Sequence, residues 1–245
     1  MILFLTSSPC DNHVPSHMHL PFCYFEKNEF VNHLKKYWKQ NSRCLIISAS
    51  PTQFDRNNEM LYAFQKAFLY HGMIPEWVKI CDARNDYHAA DLIKESDVII
   101  LGGGHVPTQM TFFEAIGLRE LLKDYQGIVM GISAGSMNCA ETVYAQPEEP
   151  GESVDPDYKK FFRGLELTKY QILPHYQKVK DTILDGKRLY EDIIYADSKE
   201  QQFYALPDAS YILQTEEGAV LYGEAFLIQN GEMIKICEDG DYRKL

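Results

Sequence analysis

Long apolar runs are missing from this chain of 245 residues. None approaches the roughly 18 consecutive apolar residues needed to cross a bilayer. The opening MILFLTSSPC has no basic residues ahead of it and is too short for the apolar core of an export signal, so it reads as a first strand. Cations are also scarce: 24 Lys and Arg stand against 35 Asp and Glu, a formal charge of -11. Binding to a phosphate backbone depends on clustered Lys and Arg that displace counterions, so a nucleic-acid partner is not expected. An anionic substrate would need a local basic pocket to offset the average field. The six cysteines, Cys10, Cys23, Cys44, Cys81, Cys139 and Cys237, form no CxxC pair and no metal-finger spacing. Several lie in apolar runs, so buried free thiols in a reducing cytoplasm are expected. No long-period repeat or low-complexity tract is present. What remains is an ordinary globular composition, 45% hydrophobic and 24% charged, expected to fold as one domain over residues 1–245.

Short β-rich runs alternate with helical patterns through the first half, the signature of a mostly parallel α/β sheet flanked by helices. ILFLTSS, RCLIISAS, WVKICD, DVIILGGG and GIVMGIS read as strands. Between them, NEFVNHLKKYWKQ reads as an amphipathic helix. In NNEMLYAFQKAFLYHG, Met60, Leu61, Phe64, Phe68 and Leu69 recur at helical spacing and Gly72 is a stop signal. PTQMTFFEAIGLRELLKDY is helical, with a break at Gly117. The stretch AQPEEPGESVDPDYKKFFRG reads as an exposed excursion, and VKDTILDGKRLYEDIIY as another helix. The C-terminal part reads as antiparallel hairpins that extend or flank the main sheet, with Asn230-Gly231 a strong turn signal.

Gly131-Ile132-Ser133-Ala134-Gly135 matches GxSxG where a predicted strand meets a predicted helix. Such a turn projects a serine oxygen into a cleft while small neighbours let the chains pack around it. The Ala134 amide, at the start of the next helix, is placed to stabilise an oxyanion. Gly102-Gly103-Gly104 could bring a second donor close, since glycine permits close backbone approach. Neither GxGxxG nor a P-loop lysine follows those glycines, so a nucleotide role is disfavoured.

A serine nucleophile needs a base, and His175 is the only histidine after Ser133. It follows Leu173-Pro174 at a strand end, where it is either an exposed histidine or that base. Asp208, after Leu206-Pro207, is a candidate orienting acid. The chain order Ser, His, Asp differs from the Ser, Asp, His order of the α/β-hydrolases, which would have to draw their acid from the acidic excursion. His13, His17 and His19 lack a helical frame, and no metal site is expected there.

At these residues the chain resembles the aspartyl dipeptidase (peptidase E) family, of class I glutamine amidotransferase-like fold, which includes the cyanophycinases. The resemblance runs from ILFLTSS through IILGGGH, GISAGSMN and LPHY to ALPDASYI and the hairpins, nearly the whole chain. It implies a cofactor-free serine peptidase acting on dipeptides or short peptides. Carried over by motif, Ser133, His175 and Asp208 become the catalytic set, and the Gly104 and Ala134 amides the oxyanion donors. Asp208 stands where the family commonly has Glu, so a slightly closer backbone is expected. His105 follows the glycines where the family continues with Asn, and is a candidate substrate contact. The rival expectation is a non-hydrolytic binding or regulatory module on the same fold. An amidotransferase glutaminase is disfavoured because the elbow carries serine rather than cysteine.

Overall fold

The computed structural model describes residues 1–11 and 22–245. His13, His17 and His19 lie outside the described residues. The main sheet has eight strands, in the order Tyr242–Lys244, Gly218–Tyr222, Tyr211–Thr215, Ile2–Thr6, Ile128–Ile132, Val98–Leu101, Arg43–Ile47 and Trp77–Cys81. The last five run parallel to one another. The other three are joined to them and to each other by antiparallel ladders.

The parallel strands are nearly continuous apolar runs because both of their faces are covered. Side chains alternate across the pleat. Phe4, Ile46, Ile100 and Met130 enter one core, with Phe30, Leu34, Phe64 and Phe68 from the helices Phe30–Tyr37 and Phe54–Tyr70. Leu3, Leu5, Leu45, Ile99 and Val129 enter the other, with Met110, Phe113 and Leu118 from Val106–Ala115 and Leu118–Leu122. Gly117 separates these last two helices in the left-handed region at φ 67°, where the sequence predicts a break. The result is the expected mostly parallel α/β sheet flanked by helices.

The C-terminal hairpins divide between two sheets. Tyr211–Thr215 and Gly218–Tyr222 extend the main sheet, whereas Ala225–Gln229 and Glu232–Cys237 belong to a second sheet. Asn230 and Gly231 turn that second hairpin with φ 57° and 81°, as the Asn-Gly pair requires. The second sheet runs Gln171–Leu173, Gln202–Ala205, Ala225–Gln229, Glu232–Cys237. Its first two strands are parallel neighbours, with Leu173 opposite Ala205.

One expected helix forms only in its second half. Across 179–195 the chain ends a short helix (Tyr176–Val179), pairs Ile183–Leu184 with Lys187–Arg188, and then forms a π-helical turn over Leu189–Ile194. Asp185 and Gly186 both take positive φ, 51° and 80°. The Asp-Gly hairpin signal thus overrides the helical spacing of the apolar residues in the first half.

The excursion begins and ends in a small antiparallel pair, Thr142–Tyr144 with Phe161–Arg163. Tyr144 is buried there, its ring stacked on Phe203 of the second sheet at 4.3 Å. All six cysteines are free, four of them buried. Among the described residues no helix is long and apolar enough to cross a membrane.

Candidate active site

Ser133 sits at the C-terminal end of the Ile128–Ile132 strand, directly before the short helix Ala134–Met137. Its backbone is at φ 50°, ψ −114°, a conformation costly for any residue with a Cβ and tolerated where surrounding bonds impose it. Those bonds are visible. The Ser133 amide donates to the Thr6 and Ser7 carbonyls at 3.1 and 3.0 Å. Thr6 Oγ1 donates to the Gly131 carbonyl at 2.7 Å, and Ser136 Oγ donates to the Thr6 carbonyl at 2.8 Å. The Ser133 side chain caps no helix amide, so its hydroxyl is not spent on capping.

Both glycines of the pentapeptide are required by close approach. A Cβ on Gly131 would fall 2.6 Å from Ser136 Cα, and one on Gly135 would collide with the Leu101 carbonyl. The helix therefore packs directly onto its own strand and onto the neighbouring one. The glycine turn after Val98–Leu101 reaches the same place: a Cβ on Gly103 would lie 3.5 Å from Ser133 Cβ. Gly103 thus lies against the elbow, and a Cβ on the next residue, Gly104, would meet the Ala49 side chain. The turn is pinned from behind, where Gln109 Nε2 donates to the Gly102 carbonyl at 2.6 Å and Asn138 Nδ2 donates to Gln109 Oε1 at 3.0 Å. Both of those side chains are fully buried.

His175 and Asp208 come from the second sheet, each just past one of its two parallel strands. Because Leu173 and Ala205 are in register, the Leu-Pro segments that follow leave the sheet side by side. The Leu206 amide donates to the Leu173 carbonyl at 2.9 Å, and the Tyr176 amide to the Leu206 carbonyl at 3.2 Å. His175 takes a left-handed conformation, φ 58°, ψ 29°. Its Nδ1 lies 2.6 Å from Asp208 Oδ1, so the shorter aspartate reaches the ring without difficulty.

Asp208 Oδ2 pairs with Lys178 Nζ at 2.6 Å. Partial burial pushes the Asp208 carboxyl upward, but the His175 ring and the Lys178 ammonium more than reverse this and hold it well below the usual carboxylate range. The Gln177 side-chain oxygen accepts from the Asp208 amide at 3.1 Å. Burial alone pushes the thiol of Cys139 up, far from a reactive thiolate.

The structure therefore brings His175 and Asp208 into direct contact. Among the described residues no hydrogen bond joins the Ser133 hydroxyl to the His175 ring. His105 is occupied at both nitrogens, Nδ1 at 2.8 Å from Thr108 Oγ1 and Nε2 at 2.9 Å from Glu152 Oε1. Glu152 is in the acidic excursion, and its other oxygen accepts from the Glu148 and Glu149 amides at 2.8 and 2.9 Å. The excursion is thus folded back onto the helix that starts after the glycine turn.

Sequence reasoning misses Lys178, Gln177 and Ser7. Lys178, three residues after His175, carries a usable signal, since this spacing returns a side chain to the same side of a helical turn. Ser7 carries none. Among the described residues there is no group of three or more His, Cys, Asp or Glu side chains able to hold a metal ion.

No curated protein matches the chain significantly. A peptidase from an acI-B1 Actinobacterium superposes with a TM-score of 0.62 at 14% identity, covering 100% of this chain and 96% of the other. A Listeria monocytogenes EGD-e protein with a provisional peptidase E assignment superposes with a TM-score of 0.55 at 16% identity, covering 100% and 98%. At such identities the likeness speaks for the fold. The sequence profile of peptidase family S51 matches residues 23–222, and on that match the chain belongs to this family of serine peptidases, the family of peptidase E.

Proposed function

We propose that the protein hydrolyses dipeptides or short peptides with Ser133 as nucleophile, His175 as base and Asp208 as the acid that orients it. The observation that carries this reading is the 2.6 Å bond between His175 Nδ1 and Asp208 Oδ1, set beside a serine on a strained elbow. A carboxylate at Nδ1 favours the tautomer with its proton there, which leaves Nε2 as the acceptor.

Ser133 Oγ attacks the scissile carbonyl and gives its proton to His175 Nε2. The tetrahedral oxyanion is received by the backbone amides of Gly104 and Ala134, each contributing on the order of 3 kcal/mol to the transition state. His175 then protonates the leaving amine, an acyl-serine remains, and water activated by the same imidazole releases the acid product. The resting hydroxyl is not bonded to the ring. Such bonds are often long in the free enzyme and close in the Michaelis complex. His105 would contact substrate only by releasing Glu152.

The reading is tested with a dipeptide panel, following amine release by wild type and by Ser133→Ala. Loss of about 10⁴-fold or more in kcat is expected for the alanine protein. Robust hydrolysis by Ser133→Ala would sink the mechanism. A folded wild type that neither hydrolyses the panel nor reacts with a serine-directed phosphonate would point to the non-hydrolytic module.

A further inference from the structure

Ser7 contacts all three residues of the proposed catalytic set, although they come from two different sheets. It lies just past the Ile2–Thr6 strand and is fully buried. Its carbonyl accepts from the Ser133 amide at 3.0 Å. Its hydroxyl accepts from the His175 amide at 2.7 Å and donates to Asp208 Oδ1 at 3.1 Å. Its own amide donates to the Ser210 carbonyl at 3.2 Å, two residues past Asp208.

We propose that Ser7 is a positioning residue whose hydroxyl fixes the His175 backbone and the Asp208 carboxylate relative to the Ser133 elbow. The inference rests on the catalytic reading above. One hydroxyl can accept one bond and donate another at once, and here the two partners are the very groups that must stay aligned. Asp208 Oδ1 receives both the Ser7 hydroxyl and the His175 ring proton. The hydroxyl therefore restricts where that oxygen can sit, and with it the tilt of the imidazole. His175 is held in a left-handed conformation, and the bond from its amide to Ser7 Oγ is one of the contacts that hold it there. A small misplacement at such a site costs far more in rate than in stability. The neighbouring Ser8 is different: among the described residues its hydroxyl bonds only within its own turn, to the Cys10 backbone.

The test measures the rate at which a fluorophosphonate labels Ser133 in the intact chain, read by mass spectrometry, so that no substrate need be known. Ser7→Ala is expected to label about ten- to a hundredfold more slowly, as befits the loss of a hydrogen bond to a charged group. Ser8→Ala is expected to label at the wild-type rate. The decisive readout is the double variant. Because part of the effect of Ser7 runs through Asp208, adding Ser7→Ala to Asp208→Ala is expected to slow labelling by a clearly smaller factor than Ser7→Ala does in the wild type.

Wild-type labelling in Ser7→Ala, or full additivity with Asp208→Ala, would overturn the inference while leaving the catalytic reading intact. Absence of labelling in the folded wild type would overturn both. Should Ser7→Ala melt early, Ser7→Cys fills the same space with a weak donor and acceptor and is expected to show the same slow, non-additive labelling.

Discussion

His175 Nδ1 and Asp208 Oδ1 are 2.6 Å apart although the two residues are 33 positions apart in the chain. They meet because each follows one of two parallel strands in register. In the proposed mechanism the carboxylate both orients the ring and stabilises the imidazolium that would form when Ser133 is deprotonated. Asp208→Asn keeps the shape and removes the charge. It is expected to lower kcat by about 10²- to 10⁴-fold with a much smaller change in KM, measured on whichever dipeptide the wild type cleaves.

Lys178 bonds the other oxygen of Asp208, but its side chain is 63% exposed. Solvent screens such a pair, so the ammonium trims the position of the carboxylate rather than creating its charge. Lys178→Met is expected to cost a few-fold in activity at low salt, with the gap to wild type narrowing as salt is raised. A loss as large as that of Asp208→Asn would show that Lys178 does more than position.

The depressed acidity of Asp208 also sets a pH dependence of stability. A carboxyl whose folded pKa lies below its unfolded value of about 3.9 contributes stability that is fully present above that value and is lost as pH falls towards the folded pKa. Urea unfolding in acid should therefore show wild type losing more stability than Asp208→Asn below about pH 4. Parallel curves throughout would contradict the assigned ion pairs.

Glu152 is expected to hold the acidic excursion in place through its bonds to His105 and to the Glu148 and Glu149 amides. Glu152→Ala removes all three acceptor contacts and should speed amide hydrogen exchange at 148 and 149. The exchange barrier there should fall by about 1–3 kcal/mol. The global melting temperature should move little, because the main cores lie elsewhere.

Gly135 offers a check on the elbow's packing. Its missing Cβ is where the helix meets the Leu101 carbonyl, so Gly135→Ala forces strand and helix apart. A loss of about 1–3 kcal/mol is expected from overpacking alone, visible as a lowered melting temperature together with slower labelling of Ser133.

Much of this was legible in the sequence because it rests on local rules. Alternating apolar runs dictate strands covered on both faces, and those runs give the parallel core of the main sheet. Gly117 and Asn230-Gly231 mark turns because few other residues tolerate positive φ. GxSxG announces an elbow because its glycines answer close contacts made within a few residues and with the next strand.

Other outcomes depended on partners far along the chain. The apolar spacing of 179–195 suggests one helix, yet Asp185-Gly186 folds its first half into a hairpin and leaves helical structure only from Leu189. The sequence does not reveal that the last two hairpins belong to different sheets, since register and partner choice come from long-range packing. Ser7 shows the same limit most sharply. Nothing in Thr6-Ser7-Ser8 distinguishes the middle serine, and only the tertiary structure decides that its hydroxyl lies between His175 and Asp208. Local chemistry determined the elements and the identity of the candidate reactive groups. The meeting of two sheets at the end of the first strand decided how those groups are held.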